Sequence, residues 1–212
     1  RGLGDVYKRQ GSGDDNSKAD MSYSGYLLYK GMNRDLLNQG SNAKSKFRAG
    51  MLFRLADFYL LYAEALNQLT TTHAITLPTG ESYSLSRDVD EMAKAFNQVR
   101  YRAGLPGLTQ AQLESPTEMF EQIKRERMVE FLGEGRRFYD VRRWGIYEDV
   151  DSEPIMGLNI AANEFGGFYQ RTVVDEKNYR DRVVHRKLLF LPISKSELRK
   201  VELLDQNPGY NN

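Results

Sequence analysis

Four carboxylates lie close together in the second half of the chain, at Glu126, Glu130, Glu134 and Asp140. Two acids at a suitable separation can hydrolyse a glycosidic bond, so this set is the natural candidate for catalysis. Arginines are interleaved with the acids, and a carboxylate paired with a guanidinium has a lowered pKa, the wrong direction for a general acid. We therefore predict no catalytic residues and a structural ion network that consists of Glu126, Arg127, Glu130, Glu134, Asp140 and Arg143.

A second set of residues has the composition of a sugar site. Sugars present flat C–H faces that pack on aromatic rings, and hydroxyls that need amide, carboxylate or guanidinium partners. The stretch Tyr147–Val184 contains scattered Pro, Gly and Asn with single aromatics, which is typical of loop. We predict ligand contacts there, with lesser help from the loop Thr70–Arg87, and the candidates are Tyr147, Asn163, Phe165, Phe168 and Tyr169.

The neighbouring aromatic residues have different expected environments. Phe168 and Tyr169 follow a Gly–Gly pair, so we expect both to be exposed, whereas Trp144 is expected to lie in the core. Tyr23, Tyr26 and Tyr29 precede the first predicted helix at three-residue steps, and we expect them to pack on it.

Composition excludes several classes of function. Thirty Lys and Arg balance 29 Asp and Glu, and the net charge of +1 provides no field that would gather nucleic acid. The chain has no cysteine, which excludes disulfides, thiol nucleophiles and Cys-based metal sites. His73 and His185 have no second ligand at metal-binding spacing, so we expect neither metal nor cofactor.

Helices are the elements predicted to position these residues. Between Met51 and Leu69 apolar residues recur at three- and four-residue steps, and the predicted buried face is Leu52, Leu55, Tyr59, Tyr62, Ala63 and Leu66. A polar loop follows. Asp88, with Glu91 three residues later, then indicates the start of a second helix, which ends at Gly104.

A third helix is predicted from Pro116 to about Gly133. Ser115 is a favourable N-cap residue, and proline is favoured in the first turn that follows it. After a Gly-Glu-Gly break, Arg136–Trp144 is again helical. Short strands are predicted around Arg171–Val174 and Lys187–Leu191. The expected fold class is all-α dominated, with tetratricopeptide-like helical hairpins and long irregular loops.

Four blocks of the sequence, in this order and spacing, resemble the C-terminal half of the SusD/RagB family. They cover roughly Ser24 to the C-terminus. One position departs from the family pattern: Ser194 stands where the family often has a proline. The blocks are FRLADFYLLYAEA at Phe53–Ala65, FNQVRYRAGLP at Phe96–Pro106, ERMVEF with EGRRFYDVRRWG within Glu126–Gly145, and LPI with QNPGY within Leu191–Tyr210.

The resemblance implies a non-catalytic, cell-surface subunit that binds a glycan or other nutrient and delivers it to a SusC-like TonB-dependent outer-membrane transporter. It also implies a surface-exposed lipoprotein of the outer membrane in Gram-negative bacteria of the Bacteroidetes type, whose ligand is an oligosaccharide or polysaccharide. We interpret residues 1–20 as a foreign or disordered lead, and residues 21–212 as a SusD-like C-terminal domain without its N-terminal half.

Two other functions fit the same residues. The chain could be an accessory of a glycoside hydrolase or lyase, because the acids noted above are common in such enzymes. It could also be a generic tetratricopeptide scaffold for protein interactions, because helix pairs form extended binding surfaces without a small ligand.

We predict that the coding sequence upstream contains a lipoprotein signal and a cysteine, because the resemblance requires a lipid anchor that this chain cannot supply. Sequencing the flanking DNA tests this prediction. An upstream reading frame without such a cysteine, or a neighbourhood without a gene for a TonB-dependent barrel, would count against the resemblance.

Overall fold

Helices dominate the computed structural model, which describes residues 22–26, 28, 30, 50–162, 164–174, 182–201 and 203–210. The helix-dominated fold predicted from the sequence is therefore confirmed. The helices are α1 (Leu55–Gln68), α2 (Val89–Arg102), α3 (Gln110–Glu114), α4 (Pro116–Glu130), α5 (Arg136–Arg143), α6 (Tyr147–Ser152), α7 (Phe165–Phe168) and α8 (Lys195–Leu198), with a 3₁₀ helix at Arg186–Leu189.

Short strands form two antiparallel pairs in the part of the chain that the structure describes. Strand β1 (His73–Thr76) pairs with β2 (Ser82–Leu85), and β3 (Met156–Leu158) pairs with β4 (Arg171–Val173). Each pair is a separate two-stranded sheet.

The chain divides into two compact units. The helical unit is the continuous stretch Asp35–Arg137, whereas the terminal unit combines Arg1–Arg34 with Phe138–Asn212. The terminal unit is therefore built from segments at both ends of the sequence.

The core of the helical unit lies where α1, α2 and α4 pack together. The largest side chains that are fully buried there are Leu60, Met92, Phe96, Met119 and Ile123. Local signals set the helix starts: the Asp88 carboxylate accepts the backbone N–H of Glu91 at 2.9 Å, and the Ser115 hydroxyl accepts that of Glu118. Both predicted starts are confirmed.

The predicted face of the first helix is partly wrong. Helix α1 begins at Leu55 and not at Met51, and Leu52, Leu55 and Tyr62, all predicted to be buried, are exposed. The buried face instead includes the polar residues Asp57, Glu64 and Asn67 beside Leu60 and Ala63. The face is rotated because Asp57 and Asn67 find partners far along the chain: Asp57 accepts from Arg127 at 3.1 Å, and the Asn67 amide donates to the carbonyl of Pro116 at 2.9 Å.

Two predictions for connecting segments are also wrong or incomplete. The polar loop contains the β1–β2 hairpin, which turns at Gly80 with a φ of 88°. Helix α3 was not predicted, although Thr109 and Gln112 form a complete capping box at its start.

The predicted strand near Arg171–Val174 is confirmed as β4, but the one at Lys187–Leu191 is wrong because this segment enters a 3₁₀ helix. The carbonyl of Leu188 accepts from the guanidinium of Arg142 at 3.2 Å, and that of Phe190 accepts from the hydroxyl of Tyr210 at 3.1 Å, so these groups bond to side chains and not to a neighbouring strand. The Gln206 amide both accepts from the N–H of Ile193 and donates to its carbonyl, each at 2.8 Å. Asn207 donates to the carbonyl of Leu191 at 2.7 Å.

A segment near the start of the chain lies against β3. The backbone N–H of Leu158 donates to the carbonyl of Ser24 at 2.9 Å. Tyr23 and Tyr26 flank this contact with β3 in the sequence, and Tyr29 lies outside the described residues. That these tyrosines pack on the first helix stays a prediction. Gly25, with a φ of 72°, and Gly157 make the close approach possible, because both positions lack room for a Cβ.

We predict that Gly157→Ala disrupts the contact between the segment at Ser24 and β3. A Cβ at Gly157 would lie 2.8 Å from the Ser24 carbonyl oxygen and 2.9 Å from its Cα, so the backbone has to shift. Overpacking of this kind costs about 1–3 kcal/mol. Hydrogen exchange at the Leu158 amide should become faster than in the parent chain.

The control for this variant is Gly166→Ala, since a Cβ there meets no atom within 4 Å. Equal exchange rates at Leu158 in the Gly157→Ala variant and the parent chain would contradict the proposed crowding.

Candidate functional site

A buried carboxylate in α1 is the centre of the ion network in the helical unit. Asp57 is only 3% exposed, and its two oxygens accept from different arginines: Arg127 of α4 at 3.1 Å and Arg136 at the start of α5 at 3.0 Å. Arg127 is equally buried. Two guanidinium groups thus compensate the desolvation of one carboxylate.

Arg54, directly before α1, joins α1 to the end of α4. Its guanidinium donates to the carboxylates of Glu130 and Glu134 and lies 4.5 Å from the centre of the Phe131 ring. Burial alone would lower the pKa of Arg54, but the hydrogen bonds and the charges of Glu134 and Glu130 outweigh burial and raise the pKa above its ordinary value. The arginine is therefore held as a cation in a partly dry position.

Arginines of α2 complete this network. Arg102 donates to the second oxygen of Glu130 at 2.6 Å, and Arg100 donates to Glu126 at 2.9 Å. The carboxylates of Glu126, Glu130 and Glu134 therefore all contact guanidinium groups. These contacts link α2 to α4 at two successive turns.

The remaining predicted network residues belong to the terminal unit. Arg143 donates to Asp140 at 2.9 Å within α5. Between them in sequence, the Arg142 guanidinium lies between two aromatic rings, 3.6 Å from the centre of Phe138 and 4.4 Å from that of Tyr147. Asp140 and Arg143 thus form a local pair in the terminal unit.

Sequence reasoning found four acids of the network but missed the central one, Asp57, and several of the arginines. Arg54 and Asp57 come from the first motif block, and Arg100 and Arg102 come from the second. Membership of the motif blocks was the signal that could have identified these four residues. The sequence does not show, however, that the first two blocks contact the third, because only the fold brings them together. That the network has a structural role and not a ligand-binding one stays a prediction.

The predicted sugar-binding residues have different environments in the structure. Phe165 is 69% exposed and Tyr169 is 42% exposed. Tyr147 is buried beneath Arg142, and Asn163 lies outside the described residues. The expectation that Phe168 is exposed is wrong: only 2% of its surface is accessible.

Phe165 and Tyr169 form one exposed aromatic pair. Their ring centres are 5.0 Å apart, and the ring planes are inclined at 79°. The buried Phe168 ring lies 5.3 Å from that of Tyr169, so the exposed pair rests on an anchored ring. We call Phe165 and Tyr169 the aromatic pair.

The aromatic pair is positioned by the connection between β3 and β4. Helix α7 has four residues, two of them glycine, and is too short to be stable alone. Hydrogen bonds hold this connection: the backbone N–H of Asn159 reaches the carbonyls of Phe168 at 3.1 Å and Gln170 at 3.0 Å. In the sequence, the pair is flanked by exposed polar residues, namely Glu164, Gln170 and Arg171.

The second predicted contact region, Thr70–Arg87, presents an exposed hairpin. Ile75 and Tyr83 are directly opposite each other and therefore share one face of β1 and β2. The Tyr83 hydroxyl donates to the carboxylate of Glu81 at 3.0 Å. A ligand role for this hairpin stays a prediction.

Comparison with known proteins decides the family. Residues 3–210 match the model of the SusD family. The chain belongs to this family. Membership supports a nutrient- or glycan-binding role of the SusD type, and SusD family proteins are in general non-catalytic binding proteins. A comparison with curated proteins gave no match.

Within the described ranges, no helix has both the length and the apolar character needed to cross a bilayer.

We predict that Glu130→Ala lowers the melting temperature. The substitution removes the carboxylate shared by Arg54 and Arg102. Loss of one partner from a buried pair costs about 3–5 kcal/mol, and we expect a smaller loss, about 2–3 kcal/mol, because both arginines keep some access to water. Thermal unfolding followed by circular dichroism measures the change.

Glu91→Ala is the matched control. The Glu91 carboxylate pairs with the exposed Lys94, and exposed pairs contribute little to stability, so this variant should melt like the parent chain. Normal melting of Glu130→Ala together with loss of ligand binding would instead assign Glu130 to a binding site.

Proposed function

We propose that this protein is a non-catalytic glycan-binding subunit that acts at the cell surface, anchored to the outer membrane by lipid, and delivers its ligand to a SusC-like TonB-dependent transporter. Family membership supports the general binding role. The aromatic pair on the β3–β4 connection is the observation that favours a glycan as the nutrient.

The chemistry around the aromatic pair suits a sugar. The exposed rings offer flat apolar surfaces to C–H groups, while Gln170 and Arg171 supply donors and Glu164 supplies an acceptor for hydroxyls. Because the two ring planes are inclined at 79°, they present differently oriented surfaces to one ligand. This arrangement favours recognition of a three-dimensional sugar over a flat aromatic ligand.

The contacts of the candidate acids support binding over hydrolysis. Glycosidases need one carboxyl group that can donate a proton and a second that is free to act as nucleophile or base. Glu126, Glu130 and Glu134 are engaged by arginines, and Asp140 is engaged by Arg143. Glu126 and Glu130 are therefore better suited to holding helices together, Glu134 to pairing with Arg54, and Asp140 to pairing within α5, than to catalysis.

Electrophoresis through gels that contain a polysaccharide tests the proposed function. A panel of soluble starch, xyloglucan, galactomannan and arabinoxylan covers different linkages and branching patterns. Retarded migration in at least one gel, without released oligosaccharide, is the expected result. Released oligosaccharide would favour the hydrolase or lyase accessory, and unretarded migration in every gel would favour the protein-interaction scaffold.

We predict that Tyr169→Ala and Phe165→Ala each weaken binding to the most strongly retarding polysaccharide several-fold. One aromatic contact contributes about 1 kcal/mol, which corresponds to about a five-fold change in affinity. Isothermal titration calorimetry gives the dissociation constants, and thermal unfolding checks that the fold is intact.

Tyr62→Ala is a suitable control, because Tyr62 is similarly exposed but lies on α1 of the helical unit. Full affinity in both aromatic-pair variants, with unchanged melting, would place the glycan site elsewhere.

A further inference from the structure

We propose that Tyr26 belongs to the same glycan site as Phe165 and Tyr169. This inference rests on the proposed function, because it extends the site around the aromatic pair. All three residues belong to the terminal unit, although about 140 positions of sequence separate Tyr26 from the pair. The site would thus be assembled from two distant segments.

The first argument is the direct contact between the early segment and β3. Ser24 accepts from the backbone N–H of Leu158 at 2.9 Å. The next residue, Gly25, is buried, and a Cβ there would lie 2.9 Å from the Cβ of Leu158 and 3.2 Å from Cγ2 of Ile160. The contact is therefore closely packed as well as hydrogen-bonded.

The second argument is the position of Tyr26 directly after this contact. Ser22–Gly25 is a turn closed by a hydrogen bond from the N–H of Gly25 to the carbonyl of Ser22 at 2.9 Å, and Gly25 itself lies against Leu158 and Ile160. Tyr26 is the next residue, so its Cα lies about 3.8 Å from that of Gly25. This places Tyr26 beside the end of β3, where the β3–β4 connection begins.

The third argument is that the end of β3 and the aromatic pair are joined rigidly. Asn159, between Leu158 and Ile160, donates its N–H to the carbonyls of Phe168 and Gln170. These two residues flank Tyr169 in the sequence. Leu158, which contacts the early segment, and Asn159, which holds the backbone on either side of Tyr169, are thus consecutive residues at the end of β3.

The exposure of Tyr26 fits a contact residue. It is 46% exposed, close to the 42% of Tyr169, so a large part of its surface is accessible while its backbone is held. A phenol can stack on a sugar and exchange hydrogen bonds with its hydroxyls. Tyr26 would therefore add both a ring and a polar group to the site, and so contribute to the choice of glycan.

Chemical cross-linking tests the juxtaposition without any ligand. Because the chain has no cysteine, Tyr26→Cys with Tyr169→Cys introduces the only two thiols. A short bifunctional maleimide should join them within one molecule, and mass spectrometry of the digest should find the linked peptides. The two single-cysteine variants, treated alike, control for links between molecules. Absence of the intramolecular link, with both thiols reactive to a monofunctional maleimide, would overturn the proposal.

Binding measurements test the functional part. In titrations with the most strongly retarding polysaccharide of the panel, Tyr26→Ala should lose affinity several-fold, and Tyr26→Phe should retain most of it. Tyr101→Ala, which removes an exposed tyrosine from α2, should bind normally. For the Tyr26→Cys variant, the same polysaccharide should slow alkylation of the thiol, a readout that remains informative if the alanine variant folds poorly.

The outcomes separate this inference from the proposed function. If Tyr169→Ala weakens binding while Tyr26→Ala and the alkylation rate are unchanged, the inference about Tyr26 is wrong and the glycan site at the aromatic pair stands. If neither variant changes binding, the site at the aromatic pair is wrong as well. If the parent chain binds no member of the panel, the glycan-binding function itself is overturned.

Discussion

Burial of the Asp57 carboxylate is the constraint on which the helical unit depends. A charge with so little access to water is tolerated only beside opposite charges, and here these are Arg127 and Arg136. The contact with Arg127 fixes α4 against α1. The contact with Arg136 requires the chain to turn back after α4. It turns through Gly133 and Gly135, which are both in the left-handed region with φ near 75°.

The three motif blocks of the helical unit therefore encode one shared framework. Arg54, Arg100 and Arg102 bring α1 and α2 to the carboxylates of α4. Buried charge pairs of this kind favour one helix register over others, since a shifted register leaves charges without partners. Under the proposed function, recognition lies on a loop, the β3–β4 connection, and loops tolerate substitution better than packed helices do.

Features of the fold that depend on neighbouring residues can be predicted from the sequence. Features that depend on residues distant in the sequence cannot. The starts of α2 and α4 follow from Asp88 and Ser115, which contact only their own helices. The face of α1 was misjudged because Asp57 is buried by an arginine 70 positions away. Of the adjacent residues Phe168 and Tyr169, only one is exposed, and packing beside β3 and β4 decides which, so local pattern cannot choose between them.

Construction of the terminal unit from both ends of the sequence has a consequence for biosynthesis. The contact between Ser24 and Leu158 closes a loop of more than a hundred residues, and contacts of such large separation form slowly because loop closure costs entropy. The continuous helical unit can complete its fold as soon as it leaves the ribosome. The early segment must wait for β3 to be translated, and until then its backbone groups remain open to chaperones and proteases.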